Sequence, residues 1–240
     1  MANSKASKLF IKGLCGGIPI ALGYLAVSFG FGISAVTRGQ SPLTAVLISL
    51  TNLTSAGQVA GLDIIVNHGS YWEMALAQLT INLRYFLMSL ALSQKLDASF
   101  SLPHRLLASF GITDEIFGVA SSQKEPLRPI YMYGLILLPF IGWSLGTLLG
   151  AVAGNILPTA VSAALGIAIY GMFVAIVVPP AKREHGVLLA SLVGIALSCA
   201  LTYLPFLRFI SSGFAIIISA LGAAALAAWL FPIQVEEEKQ

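Results

Sequence analysis

Ala77-Gln78-Leu79-Thr80-Ile81-Asn82-Leu83-Arg84-Tyr85-Phe86 lies inside an apolar run that begins near Tyr71-Trp72 and ends near Leu96. Arg84 falls close to the middle of that run. At 1.5 Å rise per residue it stands roughly 18 Å from either end, too far for its side chain to reach water by snorkelling. A charge at the centre of a bilayer costs from about 3 kcal/mol to much more, so such a residue turns toward the interior of a helix bundle and takes a counter-charge. Gln78, Asn82, Tyr85 and Ser89 share one helical face, while Arg84 lies about 200° around from Asn82, with Thr80 and Met88. A helix that is polar on both sides is surrounded by protein, so the rest of the chain has to supply walls and a counter-charge.

The composition agrees. The 240 residues are 57% hydrophobic and 10% charged, with a mean hydropathy of +0.88, whereas soluble domains are about 25% charged. Apolar runs of span length recur along the chain, which identifies an all-α polytopic membrane protein of about seven to eight transmembrane helices, some of them broken. A net charge of +3, with no basic cluster interleaved with aromatics, gives no reason to expect nucleic acid as a partner. Cys15 and Cys199 both sit in apolar segments and read as small packing residues. The N-terminal basic residues Lys5, Lys8 and Lys12 precede an apolar run, Gly13–Val36, too long for a signal-peptide core, so it reads as a retained first span.

In order, residues 1–12 form a cytoplasmic N-terminal segment, 13–231 one transmembrane domain with halves 13–121 and 130–231, and 232–240 a polar tail. The first span is glycine-rich and carries Pro19, so a kink or local unwinding is expected there. The second segment, Leu43 to about Val66, is small and polar in its middle (Asn52 to Gly61). Non-helical backbone is tolerated at membrane depth only where it is buried in protein or lines a cavity. The third span is Trp72–Leu92. Two apolar pieces, Leu106–Phe110 and Ile116–Ala120, then flank a break at Gly111-Ile112-Thr113, with Thr113 placed to cap the second piece and Asp114 and Glu115 in its first turn. The remaining spans are Tyr131–Val152, Thr159–Val178, Val187–Leu204 and Phe209–Phe231, with Pro179-Pro180 ending the second of these four.

Basic residues weigh the topology. If the 104–121 segment crosses, Lys5, Lys8, Lys12, Lys124, Arg128, Lys182, Arg183 and Lys239 face the cytoplasm against Arg38, Lys95, Arg105 and Arg208. If it does not, the excess reverses. A crossing, with both termini in the cytoplasm, is therefore expected. A weak internal repeat relates Pro19…Gly23-Tyr24…Gly32…Pro42 to Pro139…Gly142-Trp143…Gly150…Pro158. Paired broken helices in two halves point to a transporter binding site.

No catalytic motif is visible: there is no CxxC, HExxH or phosphate loop, so an enzyme is not expected. His68, His104 and His185 sit in expected loops, so neither a metal site nor any other cofactor is expected. Asp63, Glu73 and Glu125 lie near span ends and read as solvated. Three clusters remain, around Gln58, Arg84 and Asp114. Gly16-Gly17-Ile18-Pro19, Ser55-Ala56-Gly57-Gln58, Asn82-Leu83-Arg84 and Thr113-Asp114-Glu115-Ile116-Phe117 stand in order and spacing that resemble the AzlC family, the large subunit of bacterial branched-chain amino acid exporters. The match covers about residues 10–155. Tyr85 stands where histidine is expected, and Gly57 directly precedes Gln58.

The resemblance implies export of small hydrophobic amino acids by a secondary, ion-driven mechanism in the bacterial cytoplasmic (inner) membrane, together with a small multi-span AzlD-like subunit. A channel and a non-transporting scaffold are the alternatives. A pore calls for rings of like polar residues, which the mixed polar groups here do not offer, and a scaffold needs neither Arg84 nor two acids at depth. The expected substrate-binding residues are Gly16, Gly17, Pro19, Gly57, Gln58, Asn82 and Arg84, with unwound backbone holding the charged ends of an amino acid. The expected ion-coupling residues are Asp114 and Glu115, one of which is expected to pair with Arg84. Gly142–Gly154 is expected to offer a close-packing surface to the small subunit.

Overall fold

The structure, a computed structural model, describes residues 2–154, 158, 160, 168–207 and 209–231. The expected tail 232–240, Arg208, and most of the first half of the expected span Thr159–Val178 lie outside the described residues. The helices are α1 (Ala2–Thr37), α2 (Pro42–Thr51), α3 (Ser55–Val66), α4 (Tyr71–Ser93), α5 (Leu102–Phe110), α6 (Asp114–Ser121), α7 (Pro129–Gly154), α8 (Ala168–Ala181), α9 (His185–Tyr203) and α10 (Ser212–Leu230). Stretches of α1, α4, α7, α9 and α10 are long and apolar enough to cross a membrane. The chain is an all-α polytopic membrane protein. It divides into two compact units, Met1–Val59 with Asn82–Ile169 and Ala60–Ile81 with Tyr170–Gln240.

The first unit is built on the pair α1 and α7. Glycine brings the two backbones together: a Cβ on Gly17 would lie 2.7 Å from the Leu135 carbonyl oxygen, and one on Gly142 would lie 2.5 Å from that of Ala21. Further along, Gly146 lies against Leu25 and Gly150 against Phe29. The contacts advance together along both helices, so α1 and α7 run parallel. The glycines of Gly142–Gly154 therefore face α1 and are not the surface for another subunit that the sequence suggests. The expected unwinding at Pro19 is likewise absent, since α1 is one continuous helix with Pro19 inside it. Proline removes one N–H and leaves the other rungs intact. The close glycine contacts of α1 with α7 hold the rest of the helix in register. Similarly, α8 runs through Pro179 and Pro180 to Ala181.

The second segment is broken, as its composition indicates. Asn52, extended at φ −145° and ψ 110°, ends α2, and α3 starts at Ser55. The 104–121 segment is also broken where expected: Gly111 ends α5, and the Thr113 hydroxyl caps α6 by accepting from the Ile116 amide at 3.4 Å.

It does not cross, however. His104 Nδ1 lies 2.6 Å from the Tyr133 hydroxyl near the start of α7, and Phe110 meets Phe140 one stage deeper. On the return, Thr113 bonds Tyr24 while Val119 faces Gly16, nearer the start of α1. So α5 runs with α7, and α6 runs back against α1. The connections close at the entry end: Lys95 donates to the carbonyls of Ser121 and Gln123, and the Leu127 amide donates to Lys95 at 2.8 Å. Nine-residue and eight-residue helices reach only about 14 and 12 Å, too little to span a hydrocarbon core of about 30 Å singly. The expectation of a crossing rested on the distribution of Lys and Arg, which says nothing of whether the two pieces run end to end. Folded back, they form a re-entrant hairpin.

That same end carries a cavity of about 530 Å³ lined by Lys8, Lys12, Asp97, Glu125, Arg128 and Tyr131. There Arg128 pairs with Asp97 at 3.5 Å, and bonds from Ser99 hold the Asp97 carboxyl below the usual carboxylate range.

In the second unit α9 packs on α10. Glu73, expected to be solvated, is 4% exposed. Its Oε1 accepts from the Ser211 hydroxyl at 2.5 Å and the Gly213 amide at 2.7 Å, so it caps the start of α10 from another helix. The positive end of a helix dipole is a favourable place for such a carboxylate.

Candidate functional site

The two helix breaks of the first unit converge on a pair of aromatic rings. Tyr24 of α1 meets Trp143 of α7 edge-on, with centroids 5.1 Å apart and planes at 77°. Both are buried, and Trp143 is near the middle of its helix. On one side Trp143 Nε1 donates to Gln58 Oε1 at 3.3 Å. On the other the Tyr24 hydroxyl bonds Thr113 Oγ1 at 2.6 Å and Glu115 Oε2 at 2.5 Å.

Gln58 spans the first break. It is 1% exposed; its Nε2 donates to the carbonyl of Asn52, the residue that ends α2, and its Oε1 also accepts from Ser49 at 3.5 Å. The Ser49 and Thr147 hydroxyls lie 2.7 Å apart and the Trp143 carbonyl is 3.1 Å from Thr147, so their two protons serve two of these three acceptor contacts at a time. Buried polar groups without bonds are costly; here Gln58 takes up the Asn52 carbonyl left by the break, and the other bonds pair buried side chains with one another. This geometry gives Gln58 a clamping position, with its amide oxygen occupied by protein.

Arg84 Nη2 stands 3.0 Å from Asp114 Oδ2, with the two side chains 40% and 32% exposed. The same nitrogen donates to the Tyr85 hydroxyl at 2.9 Å, and the guanidinium lies 4.8 Å from the Tyr85 ring centre. Arg84 Nε is buried with no acceptor among the described residues. Of the two acids offered by the sequence, Asp114 is the one paired; Glu115 is held by Tyr24.

The residues expected to form the site separate. Gln58, Arg84, Asp114 and Glu115 join the string of contacts around the breaks. Asn82 is half-buried one turn before Tyr85, and Gly57 is buried at the start of α3. Gly16 and Gly17 face α7, and Pro19 is exposed on α1. Because α1 stays helical there, it offers no unwound backbone. Sequence reasoning missed Ser49 and Thr147, and gave Tyr24 and Trp143 no function. The last two did carry a signal: they occupy matching places in the weak repeat, each directly after a glycine, and at Gly142 that glycine lets two helices meet.

A membrane protein with two broken short-helix segments meeting beside an arginine–aspartate pair is the class this geometry defines. The chain belongs to the AzlC family: the model of the AzlC protein matches residues 19–157. An uncharacterized membrane protein of Archaeoglobus fulgidus is 32% identical over 231 residues, covering 95% of this chain and 99% of that protein. The inner membrane protein YgaZ of Escherichia coli (strain K12) is 28% identical over 207 residues, covering 83% of this chain and 84% of its own length. No solved structure matches.

Proposed function

We propose that this protein is a secondary transporter that exports small hydrophobic, branched-chain amino acids across the cytoplasmic membrane, driven by an ion gradient, and that it is not an enzyme. The observation that carries the reading is the guanidinium of Arg84: one nitrogen is committed to Asp114 and Tyr85, while the buried Nε has no acceptor among the described residues. A guanidinium with a donor left over suits a carboxylate, which at either edge of the fork would share Nη2 with Asp114 and Tyr85. An apolar cavity of about 150 Å³, lined in part by Leu92, Phe100, Ala108, Ile112 and Met132, adjoins the second break and suits an aliphatic side chain. Mixed polar groups around one centre favour a single binding site over a pore. The inner-membrane name of the Escherichia coli relative supports the location.

The resemblance also supports a small AzlD-like membrane subunit. With Gly142–Gly154 turned inward, the surface of the second unit that best suits a close helix contact is an open groove lined by Gly194, Ser198, Ala220 and Ala223. Co-purification with a small membrane protein encoded beside it tests that association.

Efflux from vesicles loaded with a panel of amino acids tests the function. Concentrative, uncoupler-sensitive flux of leucine, isoleucine or valine is expected. Passive flux identifies a channel instead, and no flux with or without the small subunit leaves a scaffold.

A further inference from the structure

We infer that Tyr24 and Glu115 form a latch that ties the α5–α6 hairpin to α1 and opens when Glu115 takes up a proton or the ammonium group of the substrate; the substrate half of this rests on the transporter reading above. The first ground is charge. The cluster beside the second break holds one cation, Arg84, and two acids. Arg84 is given to Asp114 at 3.0 Å. Glu115 is left to the Tyr24 hydroxyl, a neutral group. Acting on this carboxyl are Tyr24 from α1, Tyr85 from α4 and Asp114 from its own helix, with Arg84 of α4 engaged to Asp114 and Tyr85 beside it. From α7, Trp143 packs edge-on against the Tyr24 ring and does not titrate.

The second ground is accessibility. Glu115 is exposed while Tyr24 is buried, so a proton or an ammonium group can reach the carboxyl without parting the α1–α7 pair. The third is the direction of the bonds. A tyrosine hydroxyl has one proton to give. With Glu115 ionised, Tyr24 donates to it and accepts from Thr113. With Glu115 protonated, the carboxyl donates to Tyr24, which turns its own proton to Thr113. A hydrogen bond to an ionised group is roughly twice as strong as a neutral one, so uptake of a proton weakens the tie. An ammonium group on Glu115 draws on the same negative charge and so weakens the bond from Tyr24. Proton and substrate therefore act at one carboxyl and exclude each other there, the condition for exchange.

The test uses Trp143 as a reporter, because its ring lies against Tyr24. Trp72 and Trp229, 79% and 77% exposed, are replaced by phenylalanine to leave one indole near the latch. The emission of this single-tryptophan protein in detergent is followed as pH is lowered. A sigmoidal change is expected, abolished in Glu115→Gln and in the milder Tyr24→Phe, and retained in Asp97→Asn. A change that persists in Glu115→Gln, or none in the parent, overturns the latch. In proteoliposomes the same Glu115→Gln protein is expected to lose the pH dependence of amino acid efflux, and a wild-type pH profile also overturns the proposal. Failure of the unmodified protein to move any amino acid overturns the transporter reading instead, because the fluorescence titration needs no transport.

Discussion

Arg84 and Asp114 illustrate what one charge at depth requires. The pair is one-third to two-fifths exposed, so losing one member is expected to cost less than the roughly 3–5 kcal/mol typical of fully buried pairs, about 1–3 kcal/mol. We predict that Arg84→Ala and Asp114→Ala each lower the thermal midpoint in detergent, and that Arg84→Gln with Asp114→Asn recovers part of the loss. A double variant no more stable than either single one would mean that the pair adds nothing. Gln58 makes a contrasting case. Removing its side chain strands the Asn52 carbonyl and the Trp143 Nε1–H, at roughly 1–3 kcal/mol each. Gln58→Ala is therefore expected to unfold several degrees earlier and to lose transport along with folded protein. If instead it folds normally and only its affinity for amino acid falls, Gln58 is a ligand and not a clamp.

At the scale of elements, the breaks were legible and the way the pieces fold back was not. Asn52 to Gly61 and Gly111-Ile112-Thr113 announce interruptions by composition, and Thr113 with its acids announces the restart. Nothing in a run of residues says whether two half-helices continue or reverse; that is decided by His104 on Tyr133 and by Lys95 on the carbonyls at the end of α6 and just after it. Pro19 misled for a related reason. Its missing donor is a local property, whereas the continuity of α1 is set by the long glycine contact with α7. Glu73 looked solvated because it stands near a helix start, and only the fold brings Ser211 and Gly213 to it. The glycines give a paired prediction. At Gly17 an added methyl meets the Leu135 carbonyl at 2.7 Å, while at Gly23 nothing lies within 4 Å. Gly17→Ala is expected to lower the thermal midpoint by separating α1 from α7. Gly23→Ala is expected to leave it unchanged or raise it, since glycine costs a helix about 1 kcal/mol relative to alanine. Equal effects at both sites would contradict the close contact.

For the whole molecule the question is which side each break opens to. In the first unit, the end where α1 and α7 begin carries Lys8, Lys12, Lys95, Arg105, Lys124 and Arg128, against Arg38 at the other. Cytoplasmic segments are enriched in lysine and arginine, so the first end is expected to face the cytoplasm. The α5–α6 hairpin then enters from the cytoplasm, while α2 enters from outside and stops at Asn52, beside Gln58 and Trp143. Two interruptions that approach one aromatic pair from opposite faces are a geometry suited to alternating access, because each face keeps its own short path to the centre. Cysteine labelling decides it. In a background with Cys15 and Cys199 replaced by serine, Ser101→Cys and Ser122→Cys flank the hairpin, and Gln40→Cys marks the α1–α2 turn. An impermeant maleimide added outside intact cells is expected to modify position 40 and spare 101 and 122, and inside-out vesicles are expected to give the reverse. Labelling of 101 and 122 from opposite sides would mean that the segment crosses after all, and labelling of all three from one side would remove the outward path.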